Sequence, residues 1–298
     1  MSFWILIGKN LASVVEEVKP DEDRFVTYTA DVSNSSQVTA VMEDIGRRFG
    51  KIDILINNAG LICITAGMTC VMLTGGIDIS VGSLVAMDCM ILAVGIEQWG
   101  WSSPVLMLLI LAIGIIFGIV QGFLVAYLDI QPFIVTLAGM FFGRGMTAII
   151  STDMISIKNE LFLKWANFRF YMPFGSTNKK GKFIPAYIPP TVVIAVIVVI
   201  VIAVLLKYRK FGRKLYAIGG NRQSALMMGL NVKRTMFQAY VLDGFLAGLG
   251  GFLFCLNSCA GFVEQAKGLE MDAISSAVIG GTLLSGVLVH RSVLCLVF

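Results

Sequence analysis

The run at residues 189–206, PPTVVIAVIVVIVIAVLL, contains no charged side chain. At ~1.5 Å per helical residue it nearly spans a ~30 Å hydrocarbon layer, and Tyr208 and its neighbours extend it. Such a segment suits a membrane span or the core of a large soluble protein, and several comparable stretches in the same chain argue against the second. Composition agrees, with 57% hydrophobic residues, 14% charged residues and a mean hydropathy of +0.83. Soluble domains carry charge on about a quarter of their residues. The change of regime falls near Gly60, where a polar, charge-bearing stretch gives way to apolar segments.

Those segments are read at 61–74, 81–96, 104–128, 132–150, 189–206, 236–256 and 273–289. Residues 61–96 are too long for one straight crossing, and the hydrophilic TGGIDIS at 74–80 interrupts them. Broken backbone inside a bilayer needs shelter from protein or an aqueous cavity. Gly75, Gly76 and Asp78 therefore mark either a loop at one membrane face or a discontinuous helix near a pathway. Lys207, Arg209, Lys210, Arg213, Lys214, Arg222, Lys233 and Arg234 share a connection that contains no acid, which places 207–234 on the cytoplasmic side. Tethered at both ends to membrane segments, this patch reports topology, and no nucleic-acid partner is expected. LDIQ at 128–131 then lies inside, and EQWGWSSP at 97–104 and residues 151–188 lie outside. Lys158, Lys164, Arg169, Lys179, Lys180 and Lys182 oppose that order. A short surface helix plus coil is expected for 151–188.

Gly139, Gly143, Gly145, Gly244 and GLGG at 248–251 read as sites of close helix packing. Gln121, Thr136, Arg144, Asp243 and Asn257 need partners in the membrane, and Arg144 and Asp243 suit either an internal ion pair or a transport role. Cys63, Cys70, Cys89, Cys255, Cys259 and Cys295 form no close CxxC pair, and His290 stands alone, so neither a metal nor a disulfide scaffold is expected. No GxxxxGK[ST] stretch and no nucleophilic constellation occurs, so no catalytic residue, no cofactor and no intrinsic ATPase site are expected. Before Gly60, FVTYTA at 25–30 reads as a strand, 33–50 as a capped helix and KIDILINNAG as a second strand ending in a turn.

GMTCVMLTGGIDISVGSLVAM at 67–87, QPFIVTLAGMFFGRGMTAI at 131–149, KFGRKLYAIGGNRQSALMMGLNVKRT at 210–235 and LEMDAISSAVIGGTLLSG at 269–286 carry a family likeness. Over about 58–286 the chain resembles the permease subunits of bacterial ABC importers for simple sugars, the ribose, xylose and galactofuranose group. The resemblance implies an all-α, multi-pass protein of the cytoplasmic (inner) membrane. Its partners would be a second, identical or homologous permease subunit, cytoplasmic ATP-binding subunits that hydrolyse ATP, and an extracytoplasmic sugar-binding protein. Gly75, Gly76, Asp78, Ser80 and Gly82 match the family signature near the translocation pathway, and Asp272, Ser275, Gly280, Gly281 and Thr282 match the later one. Gly219, Gly220, Asn221, Ala225, Gly229 and Leu230 match the loop whose short helix would dock on the ATPase.

The first sixty residues instead resemble a short-chain dehydrogenase over about 23–60. Asp31 and Val32 match that family's adenine-contacting pair, and Asn57, Asn58, Ala59 and Gly60 match its NNAG motif. MSFWILIGKN supplies no GxxxGxG phosphate turn, and the family's YxxxK pair is missing, so nucleotide-dependent oxidation is not expected. The organisation expected is a dehydrogenase-like fragment at 1–60, a permease domain at 61–289 and an atypical tail at 287–298. MSFWILI is too short to serve as a first membrane helix, and VLVHRSVLCLVF follows where further membrane helices belong, so an incomplete permease is expected. Import of a sugar such as galactofuranose or ribose is the leading function. A non-transporting membrane interaction protein or hybrid gene remnant is the alternative.

Overall fold

The computed structural model describes residues 59–177 and 183–282, together with two strands nearer the N-terminus. The chain divides into units at Met1–Ile56 and Asn57–Phe298. In the first, β1 (Trp4–Ile7) pairs in parallel with β2 (Phe25–Tyr28), with Trp4 opposite Phe25 and Ile7 opposite Tyr28. Parallel neighbours require a crossover rather than a tight turn, which suits the α/β reading. The strand expected at 25–30 is present. MSFWILI supplies its partner, a role its short apolar run did not announce. The expected helix at 33–50 and the body of the strand at 51–58 lie outside the described residues, as do Asp31, Val32, Asn57 and Asn58.

The second unit is helical. Its elements are α1 (Ala59–Met72), α2 (Val81–Glu97), α3 (Ser103–Ala126), α4 (Pro132–Ile150), α5 (Glu160–Ala166), α6 (Pro190–Tyr208), α7 (Lys210–Gly220), α8 (Arg222–Met227), α9 (Val232–Ser258) and α10 (Leu269–Ile279). Proline opens α3, α4 and α6, where its fixed φ suits the first turn and its missing N–H costs nothing. Among the described residues α3, α4, α6 and α9 are long and apolar enough to cross a membrane. Most of α9 is buried, whereas α3, α4 and α6 are exposed along most of their lengths, so α9 is the hub and the others form a rim.

Small residues let the backbones meet. Gly114 and Gly118 of α3 lie against Gly244, Tyr240 and Val241 of α9, and Gly122 meets Tyr240 and Phe237. Gly250 faces Gly60 and Ile64 of α1, while Gly251 faces Asp88 of α2. These contacts also fix direction. Gly67 of α1 meets Asp243 and Leu246, so α1 runs antiparallel to α9; Asp88 meets Gly251 and Met90 meets Gly261, so α2 runs parallel to it. Ala59 and Gly60 thus open a helix rather than close a strand turn, because their small side chains admit α9 at this crossing.

Three contacts sort the loops by face. Arg222 of α8 pairs with Asp129 at 2.8 Å, joining the LDIQ turn to the basic connection. At the opposite end, Glu97 Oε1 accepts hydrogen bonds from the backbone N–H groups of Lys158 and Asn159 at 2.7 and 2.9 Å. There too β3 (Ile155–Ser156) pairs antiparallel with β6 (Ala260–Gly261). The alternation of faces expected from charge therefore holds despite the lysines of 151–188. That segment corrects one expectation: α5 is the short helix, but β4 (Phe170–Thr177) and β5 (Phe183–Ile188) form an antiparallel hairpin with a register irregularity between Tyr171 and Gly175 where coil was expected. Another boundary moves as well. Asn231 caps α9 by accepting from the Arg234 N–H at 3.0 Å, so Lys233 and Arg234 belong to its first turn rather than to the loop.

Candidate functional site

The polar break between α1 and α2 lies inside the protein. Tyr240 touches it eight residues into α9, about 12 Å along the helix. Because α1 and α2 run in opposite directions, residues 73–80 form a turn that reverses the chain at this depth. It is therefore not a break within one straight helix.

Within this turn the carboxylate of Asp78 organises the entry to α2. Its Oδ1 accepts from the Ser80 N–H at 2.7 Å and from the Ser80 hydroxyl at 2.6 Å, an Asx turn that starts the helix. Gln121 of α3 donates through Nε2 to Ser80 Oγ at 2.8 Å, and Ser83 donates to the Ser80 carbonyl at 2.7 Å. Asp78, Ser80, Ser83 and Gln121 are all buried. Gly75 adopts φ +76, which favours glycine over any side chain. Gly139 and Gly143 of α4 close over Gln121, Ser80 and Ser83 with no room for a β-carbon.

Asp243 of α9 faces the same turn, beside Asp78. Apart from the neighbouring Asp78 carboxyl, its oxygens have no hydrogen-bond partner among the described residues, and those of Asp88 have none. Arg144 does not pair with Asp243. Its guanidinium donates to the carbonyls of Val263 at 2.9 Å and Gln265 at 2.6 Å, holding the turn that precedes α10. That turn contains Ala266 at φ +56 and is braced by Gln265, whose side chain accepts from the Phe262 N–H and donates to Ser258.

The two signature segments meet at one point: Gly82 lies against the Glu270 carboxylate and the Ala266 carbonyl. Beyond it, α10 buries Ala273 and Ala277 and turns Asp272 and Ser275 outward, with Met271 and Ile279 also exposed. Helix α10 stops at Ile279, where Gly280 caps it and Gly281 takes φ +87, and Thr282 is buried. The apolar segment expected at 273–289 is thus divided at 280–282, its remainder falling outside the described residues.

On the face that carries Asp129, Gly219 and Gly220 end α7, and Asn221 caps α8 by accepting from the Ser224 N–H at 2.9 Å. Ala225 anchors α8 inward, and Gly229 at φ +76 turns the chain towards Leu230. Leu226, Met227 and Met228 are left exposed. The Arg222 guanidinium beside Asp129 holds that carboxyl below its usual range.

Cys63, Cys70, Cys89 and Cys255 are buried free thiols that pack like small hydrophobes, as expected. No group of histidine, cysteine and carboxylate side chains suited to a metal occurs among the described residues. Sequence reasoning missed Gly114, Gly118 and Gly122 as the seam of α3, although their four-residue spacing was a readable signal. It named Gln121 without assigning its partner, Ser80.

A bundle rimmed by apolar helices around a buried polar turn defines a multi-pass membrane protein. Residues 52–297 match the family described as "Branched-chain amino acid transport system / permease component", and residues 5–75 match "short chain dehydrogenase". The chain is 40% identical over 236 residues to the inner membrane ABC transporter permease protein YjfF of Escherichia coli, covering 78% of this chain and 68% of that protein. It is 37% identical over 241 residues to the fructose import permease protein FruG of Bifidobacterium longum, covering 80% and 69%. With the galactofuranose transporter permease protein YtfT of Escherichia coli, identity is 36% over 248 residues, covering 83% and 68%. No solved structure matches the chain. The chain belongs to the permease components of ABC-type sugar importers, with a dehydrogenase-like segment at its N-terminal end. It is a membrane transport subunit.

Proposed function

We propose that this subunit forms one wall of the path of a simple sugar, such as galactofuranose or ribose, with residues 61–289 as the transport domain. The observation that carries the reading is the outer face of α10, where Asp272 and Ser275 are exposed beside Met271, Val278 and Ile279, opposite the buried Ala273 and Ala277. A carboxylate turned to lipid is costly, so this face belongs against water or a second subunit. Gly82, two residues beyond the polar turn at 75–80, adjoins the start of the same helix, so one subunit offers both signatures to a common route. Hydroxyl-rich ligands suit such carboxylate, hydroxyl and amide groups.

Driving force enters through residues 207–234. The exposed Leu226, Met227 and Met228 form an apolar knob on α8, stiffened by the Asn221 cap and the buried Ala225. ATP-binding subunits closing on that knob would tilt α6 and α9, which the connection joins. An extracytoplasmic binding protein would deliver the sugar at the other face.

The test is ATP-dependent uptake of labelled ribose, galactofuranose and fructose into proteoliposomes holding this chain with its cognate ATP-binding and sugar-binding partners. Uptake of one sugar, lost with an ATPase-dead partner, is the expected result. Absence of uptake for every monosaccharide offered to an inserted, fully assembled sample overturns the reading.

A further inference from the structure

A surface apart from the sugar path proposed above lies at the outer ends of α2 and α9. Phe162 is fully buried and pins α5 to the bundle. Asn159 fixes the start of that helix, its Oδ1 accepting from the N–H groups of Leu161 and Phe162, while Glu97 holds the N–H groups just before it. With Phe162 turned inward, Leu161 and Trp165, one helical turn apart, point outward and are 64% and 42% exposed. Met154, Phe168, Phe170 and Tyr171 continue the exposed apolar band, and the rings of Phe168 and Phe170 meet edge to face at 5.1 Å. Lys158 and Lys164 stand among them, with Asp153 and Glu160 nearby.

We propose that residues 154–171 form a lipid-interface anchor, whose aromatic and aliphatic side chains enter the boundary between headgroups and acyl chains of the outer leaflet. Height on the bundle commits the surface to lipid. It is tied to Glu97, Cys259 and Gly261, residues at the outer ends of helices that cross or enter the membrane, so it lies at the level where hydrocarbon meets water. Chemistry points the same way. Rings with apolar bodies, flanked by long lysines that reach phosphates, suit that boundary better than bulk water. The polar network that fixes α5 keeps the exposed row from folding back onto the bundle. The anchor stands whether or not the chain moves a sugar.

Tryptophan depth tests the assignment. In the full chain with Trp4→Phe, Trp99→Phe and Trp101→Phe, Trp165 is the single emitter, and the protein is reconstituted into phosphatidylcholine vesicles with or without bromine near the glycerol end of the acyl chains. Loss of most of the emission with brominated lipid, with little response to soluble iodide, is expected. Quenching by iodide alone places the surface in water and overturns the anchor. Quenching by neither places it under another protein chain and overturns it equally. Should the triple replacement fail to insert, a spin label on Leu161→Cys, read against the unsubstituted chain, distinguishes the same outcomes: oxygen enhances relaxation at the lipid boundary and a nickel chelate does so in water.

Discussion

Gly114 and Gly244 meet backbone to backbone where α3 crosses α9, each occupying the space a β-carbon on the other would need. Atoms on both sides of this contact are main chain, so neither helix yields without moving as a body. Gly114→Ala or Gly244→Ala is expected to destabilise the bundle by about 1–3 kcal/mol through overpacking. Gly145 of α4 has nothing within 4 Å of its would-be β-carbon. Gly145→Ala is therefore expected to be neutral or to stabilise by up to about 1 kcal/mol through helix propensity. Thermal unfolding in detergent compares the three; equal effects would remove the packing argument.

Ser80 joins the turn to α3 through one hydroxyl that donates to Asp78 and accepts from Gln121. Ser80→Ala leaves the buried Gln121 amide without that acceptor and is expected to cost about 1–3 kcal/mol. Once Gln121→Leu has removed the amide, Ser80→Ala should cost less. A double-mutant cycle reads the difference, and additive effects would show that the two residues do not act together.

The Asp129 carboxyl is held below its usual range by Arg222, so its contribution is present above the unfolded aspartate value and lost as pH falls through the lower folded value. Both side chains are exposed, so the effect is local and screened by salt. Amide protection in residues 127–131 and 221–228, taken relative to the intrinsic exchange rate at each pH, is expected to fall in acid in the parent chain. In Asp129→Asn that protection should be low at every pH, and an unchanged acid response would refute the assignment.

Glu97 Oε1 ties the end of α2 to the residues that open α5. Glu97→Ala is expected to loosen 158–166, seen as faster hydrogen exchange there, with a stability loss of about 1 kcal/mol because the freed N–H groups can reach water. Glu97→Gln keeps an acceptor oxygen and should recover most of the protection. Equal loss in both variants would argue for charge rather than geometry.

Asp272 is expected to matter for transport and not for folding, since its side chain is exposed. Asp272→Ala should insert and unfold like the parent while losing at least about tenfold in ATP-dependent uptake, a loss of about 1.4 kcal/mol or more of transition-state stabilisation. Unchanged uptake would detach this residue from the sugar path.

Features that depend on neighbours in sequence were readable from the residues themselves. The uncharged run at 189–206 became α6, Pro104 and Pro132 opened helices where their fixed φ predicts, and FVTY became a strand. The alternation of faces followed from one acid-free connection and was matched by the Arg222 to Asp129 contact. Features that depend on partners distant in sequence were not readable. Nothing near TGGIDIS states that it reverses the chain against Tyr240, and nothing near Arg144 distinguishes the carbonyls of Val263 and Gln265 from a carboxylate. Residues 170–188 contain prolines and aromatics that suit coil as well as a hairpin, and cross-strand pairing decides between them.

Hydropathy, charge placement and capping act within a few residues of themselves, so the sequence alone determined that this chain crosses a membrane, roughly where, and which loops share a face. Tertiary structure alone decided which polar groups are paired, which carboxylates are left without donors and which glycines bring helices together, because packing direction and burial arise only when segments far apart in the chain compete for the same space.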